Sequence, residues 1–550
     1  MHFIHDEKTR GLHCPPLFAL DQVSFCYPDK TPALRRVSLT IQPGDRIALV
    51  GRNGSGKTTL VKHLNGLHTC QEGTVTYRGG PLTGSMLREL RLNTGVLFQD
   101  PDDHLFCNTL HEDVAFGPMN QGLDEQTVSS RVEEQLAAVG LGHLRYKPAH
   151  LLSYGQKKRA AFAAIMAMNP ETLILDEPTA NLDPRQEKIF KELLRDYTGT
   201  LIVIDHDLLF LYDLCDRAVV MSEGAIHHDY SFDELVSQPA FLREHGLDFT
   251  FRFSCCGHHQ PVHVHHHHHH THEHHDGMVH TPSRDHGSPL LELQHYSFRY
   301  PDGTLGLQDI NLSIGKGDTL ALVGENGAGK STLAACLLGL NPGDGYFFVD
   351  GQPVNNGRGN GLWRRVGMVF QNAADQLFTP SCREEVAFGP SRMGVKGEEL
   401  RERVAEALAR VQLDGFADKV PLNMSGGERK RLAIAAALAM RPEILILDEP
   451  TAGLDPHGEE LLIKILQGLG LTTILITHDL FFIERLTSRT VVMHQGAIIR
   501  DYSTAEFLAD DHLQSVNGLD YDYKSDCGQR IMAMQGRESE GKVLRTGIVE

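Results

Sequence analysis

The segment Gly51-Arg-Asn-Gly-Ser-Gly-Lys57-Thr58-Thr59 recurs in the second half of the chain as Gly324-Glu-Asn-Gly-Ala-Gly-Lys330-Ser331-Thr332. Each copy follows a short apolar run, at 46–50 and 319–323, of the kind that forms a central strand buried on both faces. A glycine-rich turn between such a strand and a helix lets backbone N–H groups approach a phosphate closely. The duplication therefore predicts two phosphate-binding domains in tandem.

Further landmarks recur in the same order in both halves. They are Gln99 and Gln371, Ser153 and Ser425, Asp176 and Asp448, Glu177 and Glu449, and His206 and His478. Strand patterns alternate with helical patterns around them, for instance at 128–140, 153–168 and 401–411. That alternation indicates mainly parallel α/β cores.

The repeat also indicates the domain organisation of this 550-residue chain. We predict a first domain over 15–250, a flexible linker over 251–287, a second domain over 288–515 and a tail of unknown role over 516–550. The net charge of −19 disfavours a broad surface for nucleic acid. No apolar run reaches the roughly 18 residues of a membrane span, and the N-terminus lacks the pattern of a secretion signal, so a membrane role would be peripheral.

The two glycine loops predict ATP sites with Mg²⁺. Lys57 and Lys330 should reach the β- and γ-phosphates, and the hydroxyls of Thr58 and Ser331 should ligate Mg²⁺. A glycine turn before a helix could be purely structural, but the Lys-Thr and Lys-Ser pairs that follow argue for a phosphate site. The loop residues expected around the nucleotide are Gly51, Asn53, Gly54, Ser55, Gly56, Lys57, Thr58 and Thr59, with Gly324, Asn326, Gly327, Ala328, Gly329, Lys330, Ser331 and Thr332.

An acidic pair follows each of two further apolar runs. Asp176 and Asp448 fit the magnesium carboxylate, and Glu177 and Glu449, next along the chain, fit the group that polarises the attacking water. A carboxylate pair at a strand end could instead cap a helix. The glycine loops elsewhere in each half favour the catalytic interpretation.

A histidine follows each of two β-branched runs. His206 and His478 occupy these positions, where an imidazole would contact the γ-phosphate. A lone histidine is often an ordinary surface residue, but the matched duplicate favours a functional role. Because both glutamates and both histidines are present, we predict two hydrolytic sites.

Two segments upstream of the acidic pairs carry a family resemblance. Leu152-Ser-Tyr-Gly-Gln156 and Met424-Ser-Gly-Gly-Glu428 resemble the signature of ATP-binding-cassette (ABC) ATPases, and the resemblance covers residues 15–240 and 288–510. It implies an α/β fold of two P-loop ABC ATPase domains in tandem. Each domain would have a mainly parallel core sheet, an antiparallel β subdomain and a helical signature subdomain.

The resemblance also implies roles for residues outside the glycine loops. Gln99 and Gln371 would be Q-loop ligands of Mg²⁺, and Tyr27 and Tyr300 would stack on adenine, although either could be merely a strand tyrosine. The signature residues that would contact ATP are Ser153, Gly155, Gln156, Ser425, Gly426 and Gly427.

ATPases of this family work as head-to-tail sandwiches, in which one domain's glycine loop faces the other domain's signature. The resemblance therefore implies that Lys57 shares a site with Ser425 and Lys330 with Ser153. Joining the domains in one chain raises their effective concentration. Tyr154 stands where the family usually has glycine, so the resemblance is weaker at that position.

The segments that contain the Q-loop glutamines narrow the family. Phe98-Gln-Asp-Pro-Asp-Asp-His-Leu-Phe106 and Phe370-Gln-Asn-Ala-Ala-Asp-Gln-Leu-Phe378 resemble the ATPases of energy-coupling-factor importers, and Ser153-Tyr-Gly-Gln-Lys-Lys-Arg159 resembles the cobalt/nickel branch. In that family the ATPase pair drives a membrane T component, which serves a substrate-binding S component. The resemblance implies attachment to the cytoplasmic side of the cell membrane. The segments 98–106 and 370–378 would form the groove that receives the T component's coupling helices. The alternative is that they serve only as core packing of the helical subdomain.

The histidine-rich stretch 258–275 is the internal hint about cargo. Neutral imidazoles bind Ni²⁺, Co²⁺ and Zn²⁺, so the stretch could hold the imported metal. It could also be a polar spacer or contain a six-histidine tag at His265–His270. We favour cobalt or nickel, while a vitamin, a thiamine precursor and zinc stay open. A tandem ABC protein acting on ribosomes fits less well, because the linker contains helix-breaking Pro261 and the chain is acidic.

Overall fold

The computed structural model describes residues 15–28, 30–180, 182–248, 289–354, 361–510 and 530–531. These residues form two compact units, built mainly from 15–248 and from 289–510. The predicted linker over 251–287 and nearly all of the predicted tail lie outside the described residues. Among the residues that are described, no helix is both long and apolar enough to cross a membrane.

The first unit alternates strands and helices along most of its length. Its strands are β1 (Phe18–Cys26), β2 (Pro32–Ile41), β3 (Arg46–Val50), β4 (Glu72–Tyr77), β5 (Gly80–Pro81), β6 (Thr94–Leu97), β7 (Thr172–Asp176), β8 (Thr200–Ile204), β9 (Arg217–Ser222) and β10 (Ala225–Ser231). Its helices are α1 (Lys57–Leu64), α2 (Gly84–Asn93), α3 (Leu110–Asn120), α4 (Glu125–Ala138), α5 (Tyr154–Met166), α6 (Pro184–Arg195), α7 (Leu208–Leu214), α8 (Phe232–Val236) and α9 (Pro239–Glu244).

Two sheets organise the first unit. A four-stranded antiparallel sheet has the order β2-β1-β4-β5, and a six-stranded sheet has the order β10-β9-β3-β8-β7-β6. In the six-stranded sheet every pairing is parallel except that of β9 with β10. Strands β3, β7 and β8 are buried along nearly their whole length, as their unbroken apolar sequences predict.

Helices α3, α4 and α5 pack on one another beside the sheet. Each begins at a polar cap, whose side-chain oxygen accepts a hydrogen bond from a backbone N–H of the first turn. The cap residues are Thr109, Asp124 and Ser153. This helical region carries the predicted signature, since Ser153 directly precedes α5.

The second unit repeats the first. Its strands are β11 (Leu291–Arg299), β12 (Leu305–Ile314), β13 (Thr319–Val323), β14 (Asp344–Val349), β15 (Gln352–Pro353), β16 (Val366–Val369), β17 (Ile444–Asp448), β18 (Thr472–Ile476), β19 (Arg489–His494) and β20 (Ala497–Ser503). Its helices are α10 (Lys330–Leu337), α11 (Cys382–Arg392), α12 (Gly397–Arg410), α13 (Gly426–Ala439), α14 (Pro456–Gln467), α15 (Leu480–Leu486) and α16 (Thr504–Leu508).

The sheets of the second unit have the same topology. The antiparallel sheet has the order β12-β11-β14-β15, and the core sheet has the order β16-β17-β18-β13-β19-β20. Helices α11, α12 and α13 pack together as their counterparts do. The predicted fold class, a tandem α/β pair with core sheet, antiparallel sheet and helical region, is confirmed.

Candidate nucleotide sites

The predicted catalytic residues of the first unit meet at the carboxyl ends of neighbouring parallel strands. In its core sheet β3 lies beside β8, and β7 lies on the other side of β8. Strand β3 leads into the glycine loop, β7 into Asp176 and Glu177, and β8 into His206. This edge is where open α/β sheets bind ligands. Strands β13, β17 and β18 repeat the arrangement in the second unit.

The glycine loops contain backbone conformations that other residues rarely adopt. Gly51 has a φ of 147°, and a methyl group on it would lie 2.2 Å from the carbonyl oxygen of Met221. Gly56 caps α1 with a φ of 101°, in the left-handed region. Gly324 and Gly329 repeat these values at 151° and 102°. The loops can therefore bring the N–H groups at the starts of α1 and α10 onto an anion.

The loop lysines are buried against the backbone of their own loops. Lys57 Nζ donates hydrogen bonds to the carbonyl oxygens of the first two loop residues, at 2.8 and 3.0 Å. Lys330 Nζ does the same at 2.5 and 3.1 Å. Burial lowers the pKa of Lys330, and the carboxylates of Glu449 and Asp448 oppose that shift. Each ammonium group is thus held inside the loop, ready for a phosphate oxygen.

An aspartate and a loop hydroxyl lie together in each unit, with Asp176 buried and Asp448 half-buried. Ser331 Oγ lies 3.4 Å from Oδ2 of Asp448, and the Thr58 hydroxyl acts to lower the pKa of Asp176. Burial, followed by the charge of Glu177, raises the pKa of Asp176 to about 6, and burial also raises the pKa of Asp448. A divalent cation would favour the ionised carboxylates, so these oxygen donors fit Mg²⁺.

In the first unit, two polar side chains hold Glu177. Its Oε1 lies 3.1 Å from Nε2 of His206, and its Oε2 accepts a hydrogen bond from Nε2 of Gln99. Burial acts to raise the pKa of Glu177, but the hydrogen bond and charge of His206 and the charge of Lys57 outweigh it. The pKa of Glu177 is therefore lowered, and the carboxylate stays ionised at neutral pH.

In the second unit, Glu449 has different neighbours. Thr477 stands where the first unit has Asp205, and its hydroxyl donates to Oε2 of Glu449 at 3.2 Å. His478 Nε2 lies 3.3 Å from Oε1 of Glu449, without the angles of a hydrogen bond. Burial lowers the pKa of His478 to about 3 and raises the pKa of Glu449 to about 7, although Lys330 opposes the latter shift. The two glutamates therefore differ in proton affinity.

The backbone orients both glutamates in the same way. Glu177 and Glu449 have φ angles of 50° and 41°, which are uncommon for residues other than glycine. Each precedes a proline, which disfavours the right-handed helical region. Each backbone N–H also donates to the last carbonyl of the neighbouring strand, at 2.8 Å in both units. The sheet thus holds a strained turn at each site, as is common at functional positions.

A buried lysine that the motifs did not indicate lies against each of these turns. Lys158 Nζ donates to the carbonyl oxygen of Glu177 at 2.6 Å, and Lys430 Nζ to that of Glu449 at 2.9 Å. Burial lowers the pKa of both lysines to about 8. They tie α5 and α13 to the turns that carry the glutamates. The sequence did offer one signal of their importance, because Lys158 and Lys430 occupy matching positions in the repeat.

The predicted signature serines begin helices α5 and α13. Ser153 Oγ accepts a hydrogen bond from the N–H of Gln156 at 3.3 Å, and Gln156 Oε1 accepts one from the N–H of Ser153 at 3.0 Å. Ser425 and Glu428 form the same reciprocal cap. The contacts of Ser153, Gly155, Gln156, Ser425, Gly426 and Gly427 with ATP stay predictions.

Tyr154 makes a contact that glycine could not. Its hydroxyl donates to the carbonyl oxygen of Gln99 at 3.1 Å. A side chain on the next residue would displace the amide of Gln186, because a methyl group on Gly155 would lie 1.7 Å from Oε1 of Gln186. Tyr154, which replaces the family's usual glycine, therefore links the start of α5 to the Q-loop segment. The glycine at position 155 is still present.

The two predicted adenine-stacking tyrosines lie beside the glycine-loop helices. The hydroxyls of Tyr27 and Tyr300 lie 3.0 and 2.8 Å from the hydroxyls of Thr59 and Thr332. In each unit the tyrosine also contacts a phenylalanine two residues earlier, edge to face. The rings are thus fixed near the loop, and stacking on adenine stays a prediction.

In each unit an exposed phenylalanine of the Q-loop segment pairs with one from the helix that follows, α3 or α11. The rings of Phe106 and Phe116 lie 4.9 Å apart, edge to face, and those of Phe378 and Phe388 repeat this at 4.9 Å. These side chains are 63%, 48%, 67% and 41% exposed. The backbone N–H groups of Phe106 and Phe378 donate to buried acidic residues of α3 and α11, at 2.9 and 3.0 Å. Both units therefore present two exposed apolar rings, one on an anchored loop and one on the helix that follows.

Comparisons with known proteins agree with this geometry. The sequence pattern of the ABC transporter family matches residues 34–180 and 307–452. A relative from Methanosarcina acetivorans is 35% identical over 92% of this chain and 88% of its own length. Another from Enterococcus faecalis is 31% identical over 90% of this chain and 92% of its own length. Both are named as candidate ABC transporter ATP-binding proteins.

One solved structure is also similar to part of the chain. It is that of cbiO1 from Clostridium perfringens, described as part of the ABC transporter complex cbiONQ. The two sequences are 34% identical, and the match covers 42% of this chain and 94% of that one. The TM-score is 0.38.

Proposed function

Because this chain belongs to the ABC transporter family as a tandem ABC ATPase, we propose that it is the ATP-binding subunit of an energy-coupling-factor importer. It would lie on the cytoplasmic side of the cell membrane and drive a T component that serves a substrate-binding S component. ATP hydrolysis would supply the energy, and the cargo would be a micronutrient.

The geometry of the two sites supports ATP hydrolysis. Glu177 and Glu449 each lie beside a histidine at the sheet edge, where a carboxylate can accept a proton from the attacking water. Lys57 and Lys330 are placed to hold phosphate oxygens. Mg²⁺, held by the aspartate and loop hydroxyl of each unit, would neutralise charge on the phosphates.

The observation that carries the importer assignment is the exposed aromatic pair beside each Q-loop. Large exposed rings on ordered loops are typical of surfaces that bind an apolar partner. The pairs at Phe106–Phe116 and Phe378–Phe388 recur in both units, as a partner with two contact elements would require. Phe106 and Phe378 lie in the segments that resemble energy-coupling-factor ATPases, and Phe116 and Phe388 lie in the helices that follow, α3 and α11.

Removing one ring from each pair should release the chain from its membrane partner. We expect the Phe106→Ala, Phe378→Ala variant to lose about 30-fold or more of its affinity, because a buried aromatic anchor contributes about 2 kcal/mol or more to such interfaces. The measurement is co-purification of the tagged full chain with a co-expressed multi-span T component in detergent.

The matched control is Tyr346→Ala, because Tyr346 is 62% exposed on β14, outside the Q-loop segments. It should leave co-purification unchanged. Equal retention of the double variant and the control would contradict the proposed docking surface. ATP turnover of each purified chain, measured alone, should be unaffected.

The cargo that we favour is cobalt or nickel. The resemblance of 153–159 to the cobalt/nickel branch and the histidine-rich stretch 258–275 support this assignment. Cells that carry the chain with its membrane components should accumulate Co²⁺ or Ni²⁺ in an ATP-dependent manner. Uptake of a vitamin, a thiamine precursor or zinc instead would change the cargo but not the class of transporter.

A further inference from the structure

Three histidines of the first unit lie together and are not among the residues predicted to bind ATP. His227 and His228 belong to β10, and His245 follows the last turn of α9. Their candidate ligand nitrogens all lie within 4.8 Å of one another. The cluster also lies outside the histidine-rich stretch 258–275.

An irregularity in β10 explains how two adjacent histidines can face one point. Neighbouring residues of a regular strand point to opposite faces of the sheet. The register between β10 and β9 shifts between Ile226 and His228, so His227 is the extra residue of a β-bulge. A bulge redirects side chains locally and is common next to functional sites.

The third histidine is fixed by the end of α9. His245 caps the helix, and its N–H donates to the carbonyl oxygen of Phe241 at 3.2 Å. Gly246 follows with a φ of 67° and packs against Arg52, since a methyl group on it would lie 3.1 Å from Arg52 Cδ. The turn after the helix is therefore closely determined, and it holds His245 in place.

His245 carries a buried nitrogen that needs a partner. The residue is only 4% exposed, and its Nε2 has no hydrogen-bond partner among the described residues. An unpaired buried polar atom is costly, and in native structures it often marks an unseen ion or water. The other two members of the cluster are nearer to solvent, since His228 is half-buried and His227 is exposed.

The surroundings favour neutral imidazoles, which are the form that binds metal. The ring of His228 packs edge to face on Phe241, with centroids 3.9 Å apart, and stacks on Tyr230 at 5.2 Å. Burial lowers the pKa of both His228 and His245, and His227 lowers it further, although the charge of Glu244 opposes the shift. The rings of His228 and His245 can therefore each offer a nitrogen lone pair at neutral pH.

The second unit shows that the sheet does not need these histidines. Strand β20 has the same bulge against β19, but it carries Ile499 and Arg500 where the first unit has His227 and His228. The described second unit also ends soon after α16, without a counterpart of α9. The histidine cluster is thus an addition to one copy of a duplicated framework.

We propose that His227, His228 and His245 bind one divalent transition-metal ion, such as Co²⁺, Ni²⁺ or Zn²⁺. Imidazole nitrogens suit these ions, and three protein ligands leave a further position for water or another donor. Metal–nitrogen bonds of about 2.1 Å require the nitrogens to approach to roughly 3.4 Å of one another. Metal binding would therefore require a rotation of side chains, and His227, the exposed member of the cluster, has the most room for it. The site does not depend on the importer assignment.

The test uses the full chain with every histidine between 258 and 275 changed to glutamine, so that the stretch cannot bind metal. Co²⁺ is titrated into this background, followed by its visible absorption and by calorimetry. We expect one high-affinity equivalent with the intense absorption of a tetrahedral imidazole site. His227→Gln with His228→Gln should weaken that equivalent at least tenfold, and His245→Gln should do the same.

Two exposed histidines of the same unit provide the control. His143→Gln with His150→Gln should leave the high-affinity equivalent intact. The thermal midpoint should rise with Co²⁺ in the background and control chains but not in the His227→Gln, His228→Gln chain. Unchanged ATP turnover would show that each chain is folded. The proposal fails if the background binds no high-affinity Co²⁺, or if the His227→Gln, His228→Gln chain binds it as tightly as the control.

Discussion

A chain carrying both Glu177→Gln and Glu449→Gln is expected to hydrolyse ATP at least about 100-fold more slowly than the unmodified chain, while it still binds ATP. Glutamine has nearly the same shape as glutamate but cannot accept a proton from the attacking water. The neighbours of each carboxylate, Gln99 and His206 in the first unit and Thr477 in the second, can still hydrogen-bond to an amide. Phosphate release measures turnover, and equilibrium titration with labelled ATP measures binding.

The matched control places the same substitution on exposed helix faces of both units. Glu192→Gln with Glu402→Gln changes the net charge equally, in α6 and α12, and should leave turnover unchanged. Hydrolysis by the Glu177→Gln, Glu449→Gln chain at the rate of this control would remove both glutamates from the role of general base. Loss of ATP binding in the same chain would instead mean that the glutamates shape the nucleotide site.

The two single variants should respond differently to acid. Glu177→Gln leaves Glu449 as the base, and burial raises the pKa of Glu449 to about 7. Because a general base must be deprotonated, turnover in this variant should fall about tenfold for each unit of pH below 7. Glu449→Gln leaves Glu177, whose pKa is lowered by His206 and Lys57 despite its burial. Its turnover should persist to lower pH.

Saturating Mg²⁺ separates this effect from titration of the aspartates. Asp176, with a pKa raised to about 6, would otherwise add its own acid limit to the first site. A bound cation favours the ionised form and removes that limit. The measurement is ATP turnover of each single variant across the pH range at constant ionic strength. Superimposable profiles would show that the two sites have equivalent bases, contrary to their different surroundings.

The fold was largely predictable because its strongest signals are local. Unbroken apolar runs at 46–50 and 172–176 form central strands, and glycine loops follow strands where backbone N–H groups must face an anion. Helix boundaries were less predictable. Helix α4 begins at Glu125, three residues before the predicted 128–140, because Asp124 caps it with a side-chain hydrogen bond to the N–H of Thr127.

The contacts of Lys158 and Lys430 with the turns that carry Glu177 and Glu449 could not be predicted from motifs alone. In the sequence, Lys158 is one of three consecutive basic residues at the start of an amphipathic helix, a position typical of a solvent-exposed side chain. Only the packing of α5 against the end of β7 buries it and directs its ammonium group to the carbonyl oxygen of Glu177. Such a role depends on contacts between residues far apart in the chain, which local patterns do not encode.

The order of residues along this chain was enough to predict two tandem ABC ATPase domains and the residues expected at each site, because the loops, acidic pairs and histidines are short motifs at strand ends. Three-dimensional packing determined the rest. It gives Glu177 and Glu449 different proton affinities through different neighbours, and it brings His245 to a bulged strand that carries two further histidines. Burial and long-range proximity arise only when the strands and helices are assembled.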